Sequence, residues 1–209
     1  MIPIDPTYQI STLEDLSRLY ERPSERALRK QIDRLDGHCR AYIAASPFLV
    51  LGTCGPDGAD ASPRGDHPGF VRVLDDRTLL IPDRRGNNRI DSLRNIIANP
   101  VVALLFLVPG VNETLRVNGR AAISAQPSLI ERFAVEGRTP RTVLVVTVEQ
   151  AFMQCARALV RSELWKPARQ VNRSDLPSLG TVLAAHTGGM VDAVTYDAEA
   201  DANVAKTLY

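Results

Sequence analysis

Two polar clusters in this chain have the residue types and spacing to hold an anion. The first is Ser62-Pro63-Arg64-Gly65-Asp66, where Arg64 ends a predicted strand beside a glycine that lets other groups approach closely. The second, Asp83-Arg84-Arg85-Gly86-Asn87-Asn88-Arg89, lies between a predicted strand and the start of a helix. With Asn88 as N-cap, Asp91 falls at N3, and the free backbone N–H groups and positive dipole end of that helix lie among arginines. That combination suits a phosphate. The chain also supplies Asp66, Asp75, Asp76, Asp83 and Asp91, enough carboxylates to pair with the same arginines at the surface. Such pairs contribute only ~0 to 1 kcal/mol, and composition alone leaves both readings open.

Other chemistries lack their residues. No GxGxxG follows a strand, no Walker phosphate loop is present, and no GxSxG elbow appears. His38, His67 and His186 are far apart and form no triad or metal signature, so no metal site and no catalytic acid or base is assigned. Cys39, Cys54 and Cys155 are odd in number, widely separated and without zinc spacing, which points to reduced thiols. The basic residues number 25 against 24 acidic, and aromatic content is 5%. This near balance gives no bulk field for nucleic acid or an anionic membrane and few stacking platforms, so recognition must be local. The apolar run from Val101 to Val108 falls far short of the roughly 20 residues of a membrane helix. With no signal-peptide pattern at the start, the expectation is a cytoplasmic protein.

The elements that position the clusters are legible from local pattern. Ser11-Thr12-Leu13-Glu14 has capping-box spacing, and a short helix is expected there, ending before Pro23. Leu28, Ile32, Leu35, Cys39, Tyr42 and Ile43 recur at spacings of 3 and 4, which predicts a long helix from about Ser24 to Ala45. Short strands follow: Phe48–Thr53, Ala59–Arg64, Phe70–Leu74, Thr78–Ile81, Val101–Leu107, Leu115–Ser124 and Thr142–Val148. One helix, Asn88–Ala98, interrupts them and stops at Asn99-Pro100. Connections this short require antiparallel pairing. Seven strands of this kind predict a closed or partly closed barrel with flanking helices, in the mainly β (α+β) class. Helices are expected over about 11–45 and again in an extension over about 153–209, with residues 1–209 as one domain. That extension carries five acidic residues and no Lys or Arg between Ser174 and Ala205.

This order of elements, with Ser-Pro-Arg, then Leu80-Ile81-Pro82-Asp83, the Arg/Asn cluster, Ala98-Asn99-Pro100 and Glu113-Thr114-Leu115-Arg116-Val117-Asn118-Gly119-Arg120-Ala121, resembles the pyridoxamine 5'-phosphate oxidase-related family of FMN-binding split barrels. The resemblance runs from about Phe48 to Val148. It implies an antiparallel split barrel, FMN as cofactor, and a homodimer holding the flavin at the subunit interface.

Carried onto this chain, the resemblance places Ser62, Arg64, Asn87, Asn88 and Arg89 around the flavin phosphate. It puts Ile81 and Pro82 along the isoalloxazine and Thr114 at a flavin-contacting glutamine position. Trp165 matches a C-terminal aromatic that approaches the ring, and an anchor for the C-terminal segment is the alternative role for it. Where the vitamin-B6 oxidase carries an Arg and His motif, this chain has Trp165-Lys166-Pro167-Ala168-Arg169, so pyridoxamine phosphate is not the expected substrate. The expected function is an FMN-dependent oxidoreductase acting on an unidentified small molecule. A flavin-binding carrier or sensor without turnover is the alternative, and nucleic acid is not an expected partner.

Overall fold

The computed structural model describes residues 4–209 and divides into two compact units, one ending at Gln31 and the other spanning Ile32–Tyr209. The first unit holds α1 (Leu13–Leu19) and α2 (Glu25–Arg29). Thr12 caps α1, its Oγ1 accepting from Asp15 N, and Ser24 caps α2 by accepting from Ala27 N. Neither helix has a buried residue.

The second unit begins with α3 (Gly37–Ala45). The continuous helix predicted over 24–45 is broken. Ile32 instead exchanges backbone hydrogen bonds with Ala151 at 3.0 and 2.8 Å, and Leu35 N donates to Asp76 O. Asp36 Oδ1 then accepts from Cys39 N and starts a new helix, with Gly37 as its first residue. The apolar spacing that suggested one helix is real burial: Leu35, Cys39 and Ile43 all enter the core.

Seven strands follow: β1 (Phe48–Gly55), β2 (Gly58–Gly65), β3 (Arg72–Val73), β4 (Thr78–Asp83), β5 (Val101–Leu107), β6 (Thr114–Ser124) and β7 (Thr142–Gln154). All pair antiparallel in the order β2-β1-β5-β6-β7-β4-β3. No pairing among the described residues joins β2 to β3, so the barrel is split rather than closed. Leu49, Leu51, Leu104, Phe106, Leu115, Val117, Leu144 and Val146 point inward from alternating positions and fill the interior with α3 residues.

Strand β7 runs six residues beyond the predicted end because β6 and β7 stay paired through a register shift at Asn118/Gly119. Gly119 is required there. A Cβ at that position would lie 2.0 Å from Thr147 O.

The helix α4 (Asp91–Ala98) crosses from β4 to β5 and buries Ser92 and Ile96. After β6 come α5 (Pro127–Ile130) and, beyond β7, α6 (Arg157–Ser162), α7 (Leu179–His186) and α8 (Ala193–Thr207). Asp197 Oδ1 accepts from Gly180 N and ties α8 to α7. Among the described residues no helix is long and apolar enough to cross a membrane.

Candidate functional site

The split in the sheet opens onto a cleft of about 950 Å³. Its walls are the end of β2 (Ser62–Gly65), the end of β4 with the loop that follows (Pro82–Ile90), the first turn of α4, the turn before β7 (Arg138–Thr142) and Tyr209. The pairing of β4 with β7, which sets Asp83 opposite Thr142, brings the last two loops together.

The start of α4 differs from expectation in a way that matters for anions. The N-cap is Ile90, not Asn88, and it makes no side-chain cap hydrogen bond. Asp91 therefore sits at N1 rather than N3. Asn88 and Ile90 both have positive φ, 60° and 54°, and for a β-branched residue that is an outlier costing of order 1 to 3 kcal/mol. A left-handed residue followed directly by a right-handed one turns successive backbone N–H groups toward a common point. The N–H groups of Asp91, Ser92 and Leu93 have no intrahelical acceptor, and all three residues line the cleft.

Arginines line the same cleft. Arg64, Arg84, Arg85, Arg89, Arg138 and Arg141 line the cleft against Asp83 and Asp91, and Arg84 is also paired with the sheltered Asp66, six charges against three, a surplus of three. The aspartates take up part of the field. Arg89 Nε lies 2.8 Å from Asp91 Oδ2, and Arg64 Nη2 lies 3.9 Å from Asp83 Oδ1. The Arg64 side chain is 19% exposed and that of Arg89 76%, so the first acts in a far less screened setting. Arg141 Nη1 donates to Asn88 Oδ1 at 3.4 Å, and Asn87 Oδ1 accepts from Arg89 N.

Burial pushes the Asp83 carboxyl above its ordinary range, with Arg64 and Arg141 opposing the shift. Asp66 goes the other way: burial raises it, but hydrogen bonds from Tyr209, His67 and Arg84 outweigh burial and hold it low. Thr142, which lines the cleft, keeps its Oγ1 buried and without a hydrogen-bond partner.

Of the residues assigned from sequence, Ser62, Arg64, Pro82, Asn87, Asn88 and Arg89 share this one cleft. Ile81, Thr114 and Trp165 are not part of its lining. The Ile81 side chain is fully buried in the core. Thr114 is buried at the start of β6 and bonds the Gln154 amide, and Trp165 Nε1 donates to Val111 O at 2.8 Å, anchoring the segment after α6. Arg138, Arg141, Thr142 and Tyr209 are additions that the sequence reading missed. Arg138-Thr139-Pro140-Arg141 repeats the Arg-rich turn composition of the first clusters, a signal that was there to use.

The cleft fits a phosphate monoester, since the uncapped start of α4 and a half-buried arginine both line it. Comparison with known proteins adds the family. HupZ from Group A Streptococcus is 22% identical, over 56% of this chain and 92% of that one, with a TM-score of 0.46. A putative pyridoxamine 5'-phosphate oxidase from Lactobacillus delbrueckii is 19% identical, over 58% and 99%, with a TM-score of 0.43. An FAD binding protein from Mycobacterium smegmatis is 16% identical, over 59% and 97%, with a TM-score of 0.41. No curated protein matches the chain. The family model described as pyridoxamine 5'-phosphate oxidase matches residues 35–155, from the residues before α3 to the end of β7, and the chain belongs to that family.

Proposed function

We propose that this protein binds FMN and is an FMN-dependent oxidoreductase acting on a small molecule other than pyridoxamine phosphate. The observation that carries the reading is the uncapped start of α4 facing a cleft with a surplus of three positive charges. Bound FMN would supply the hydride and electron chemistry. The chain's own residues anchor and orient it. Arg64 and the N–H groups of Asp91, Ser92 and Leu93 hold the phosphate, Arg89 adds charge at the rim, and Ser62, Asn87 and Asn88 offer hydrogen bonds. With the Ile81 side chain in the core, contact with the ring along β4 is left to Pro82 and backbone atoms.

Family membership supports the cofactor class, and one structural neighbour is named as an FAD binding protein. The homodimer belongs to the same proposal. Thr114 and Trp165 lie outside the cleft of their own chain, so any part they play at the same flavin requires a second subunit.

The test is to purify the protein, record its visible spectrum and identify the released chromophore by mass. Yellow protein releasing FMN is the expected result. Colourless protein that also fails to bind added FMN refutes the reading, and sedimentation as a strict monomer with full FMN occupancy refutes the shared site.

A further inference from the structure

One end of the cleft is built differently from the phosphate end. Arg84 is fixed from two sides, its Nε donating to Asp66 Oδ2 and its Nη1 to Phe133 O, both at 2.8 Å. The guanidinium is therefore held in one orientation with a face available for stacking. The Asp66 side chain is 4% exposed, and its other oxygen, Oδ1, accepts from His67 N at 2.8 Å. Arg138 stands on a turn closed by two 2.9 Å backbone bonds with Val135. Each of these three groups is positioned by the barrel and its loops.

All three converge on Tyr209. Its ring lies under Arg84 at 5.0 Å from the guanidinium carbon, its hydroxyl donates to Asp66 Oδ1 at 2.7 Å, and its backbone oxygen accepts from Arg138 Nη1 at 3.4 Å. The tyrosine arrives from beyond α8, a helix with no buried residue. A receptor with Asp66 and Arg84 fixed out of solvent and Arg138 at the exposed rim thus holds an occupant that comes from a weakly packed segment.

We infer that the Asp66–Arg84–Arg138 end of the cleft is a binding site for a hydroxyaryl carboxylate, which Tyr209 occupies in its absence. Asp66 selects a phenolic donor, the Arg84 face selects a planar ring, and Arg138 takes an oxygen acceptor about one tyrosine length away. Arg138 would meet the ligand's carboxylate where it now meets the backbone oxygen of Tyr209. The occupant and the ligand compete for one place, so binding releases the end of α8.

This inference concerns the same cleft as the proposed flavin site but uses none of the residues assigned to the phosphate. The probe is 3-(4-hydroxyphenyl)propionate, which reproduces the ring, hydroxyl and acceptor spacing of tyrosine. In calorimetric titration of the protein as purified, Tyr209→Ala binds it at least tenfold more tightly than the unaltered chain. Adding Arg138→Gln, an exposed position outside the core, removes at least tenfold of that affinity, and 3-phenylpropionate binds at least tenfold more weakly than the phenol. Equal affinity in the unaltered chain and Tyr209→Ala, no binding to Tyr209→Ala, or indifference to Arg138→Gln or to the hydroxyl overturns the inference. A parallel FMN titration separates the two readings: loss of FMN binding by every protein with the probe result intact overturns the flavin reading alone.

Discussion

Replacing Arg64 by Gln tests the phosphate assignment most directly, because the structure ranks the arginines before any measurement. The Arg64 side chain is 19% exposed and that of Arg89 76%. A charge-assisted contact made out of solvent is worth about 1.5 to 3 kcal/mol. At 1.4 kcal/mol per factor of ten, Arg64→Gln raises the Kd for FMN by roughly 10- to 150-fold. Arg89 works in water and already has Asp91 at 2.8 Å. An exposed pairing contributes ~0 to 1 kcal/mol, so Arg89→Gln costs less than about fivefold, and that effect shrinks as salt is raised. The assay is quenching of flavin fluorescence on titration with protein, at low and physiological ionic strength. A thermal melt without flavin shows that each variant is folded. If Arg89→Gln costs as much as Arg64→Gln, or if both keep full affinity, the phosphate is not held at the start of α4 in the way argued here.

Three other perturbations read different parts of the molecule. Gly119→Ala puts a Cβ 2.0 Å from Thr147 O at the β6–β7 irregularity, where both neighbours are backbone, and should cost about 3 kcal/mol or more in chemical denaturation; a cost below 1 kcal/mol would show that the two strands part easily. Cys39 is buried and its thiol is pushed up to about 11 by desolvation, while Cys54 and Cys155 are exposed, so a thiol reagent at pH 8 should label two groups quickly and the third only after unfolding. Asp83 binds its proton more tightly in the folded chain than at its ordinary 3.8, so its stabilising contribution is complete below that pH and fades as pH rises through the raised folded value. Urea midpoints of Asp83→Asn relative to the unaltered chain should climb across that window, and parallel curves would refute the shift.

The strands were legible because their signals are local. Gly55-Pro56-Asp57-Gly58 and Asp75-Asp76-Arg77 mark turns, and the alternation from Leu115 to Ile123 marks a half-buried strand. What escaped the sequence depends on partners distant in the chain. Ile32 leaves the helix because Ala151 offers it a strand-like partner. The predicted end of β7 at Val148 falls where Glu149 disturbs the alternation, beside the register shift. Asn88 satisfies every compositional rule for an N-cap, yet the chain makes a left-handed excursion there and hands that position to Ile90. Half of the cleft was visible as two Arg-bearing clusters. The other half, Arg138, Arg141, Thr142 and Tyr209, joins them only when β7 lies beside β4 and Tyr209, beyond α8, reaches Asp66.

The gap between β2 and β3 leaves the sheet with two free edges, and an exposed edge is a template on which a strand from another molecule can grow. Here neither edge gives a usable run. The β2 side carries Asp60, Pro63 and Arg64 within eight residues, a proline that cannot donate and charges that resist stacking, while β3 is two residues long. The opening beside the cleft is thereby kept from nucleating cross-β growth, and a Pro63→Val exchange would remove the main safeguard on the longer edge.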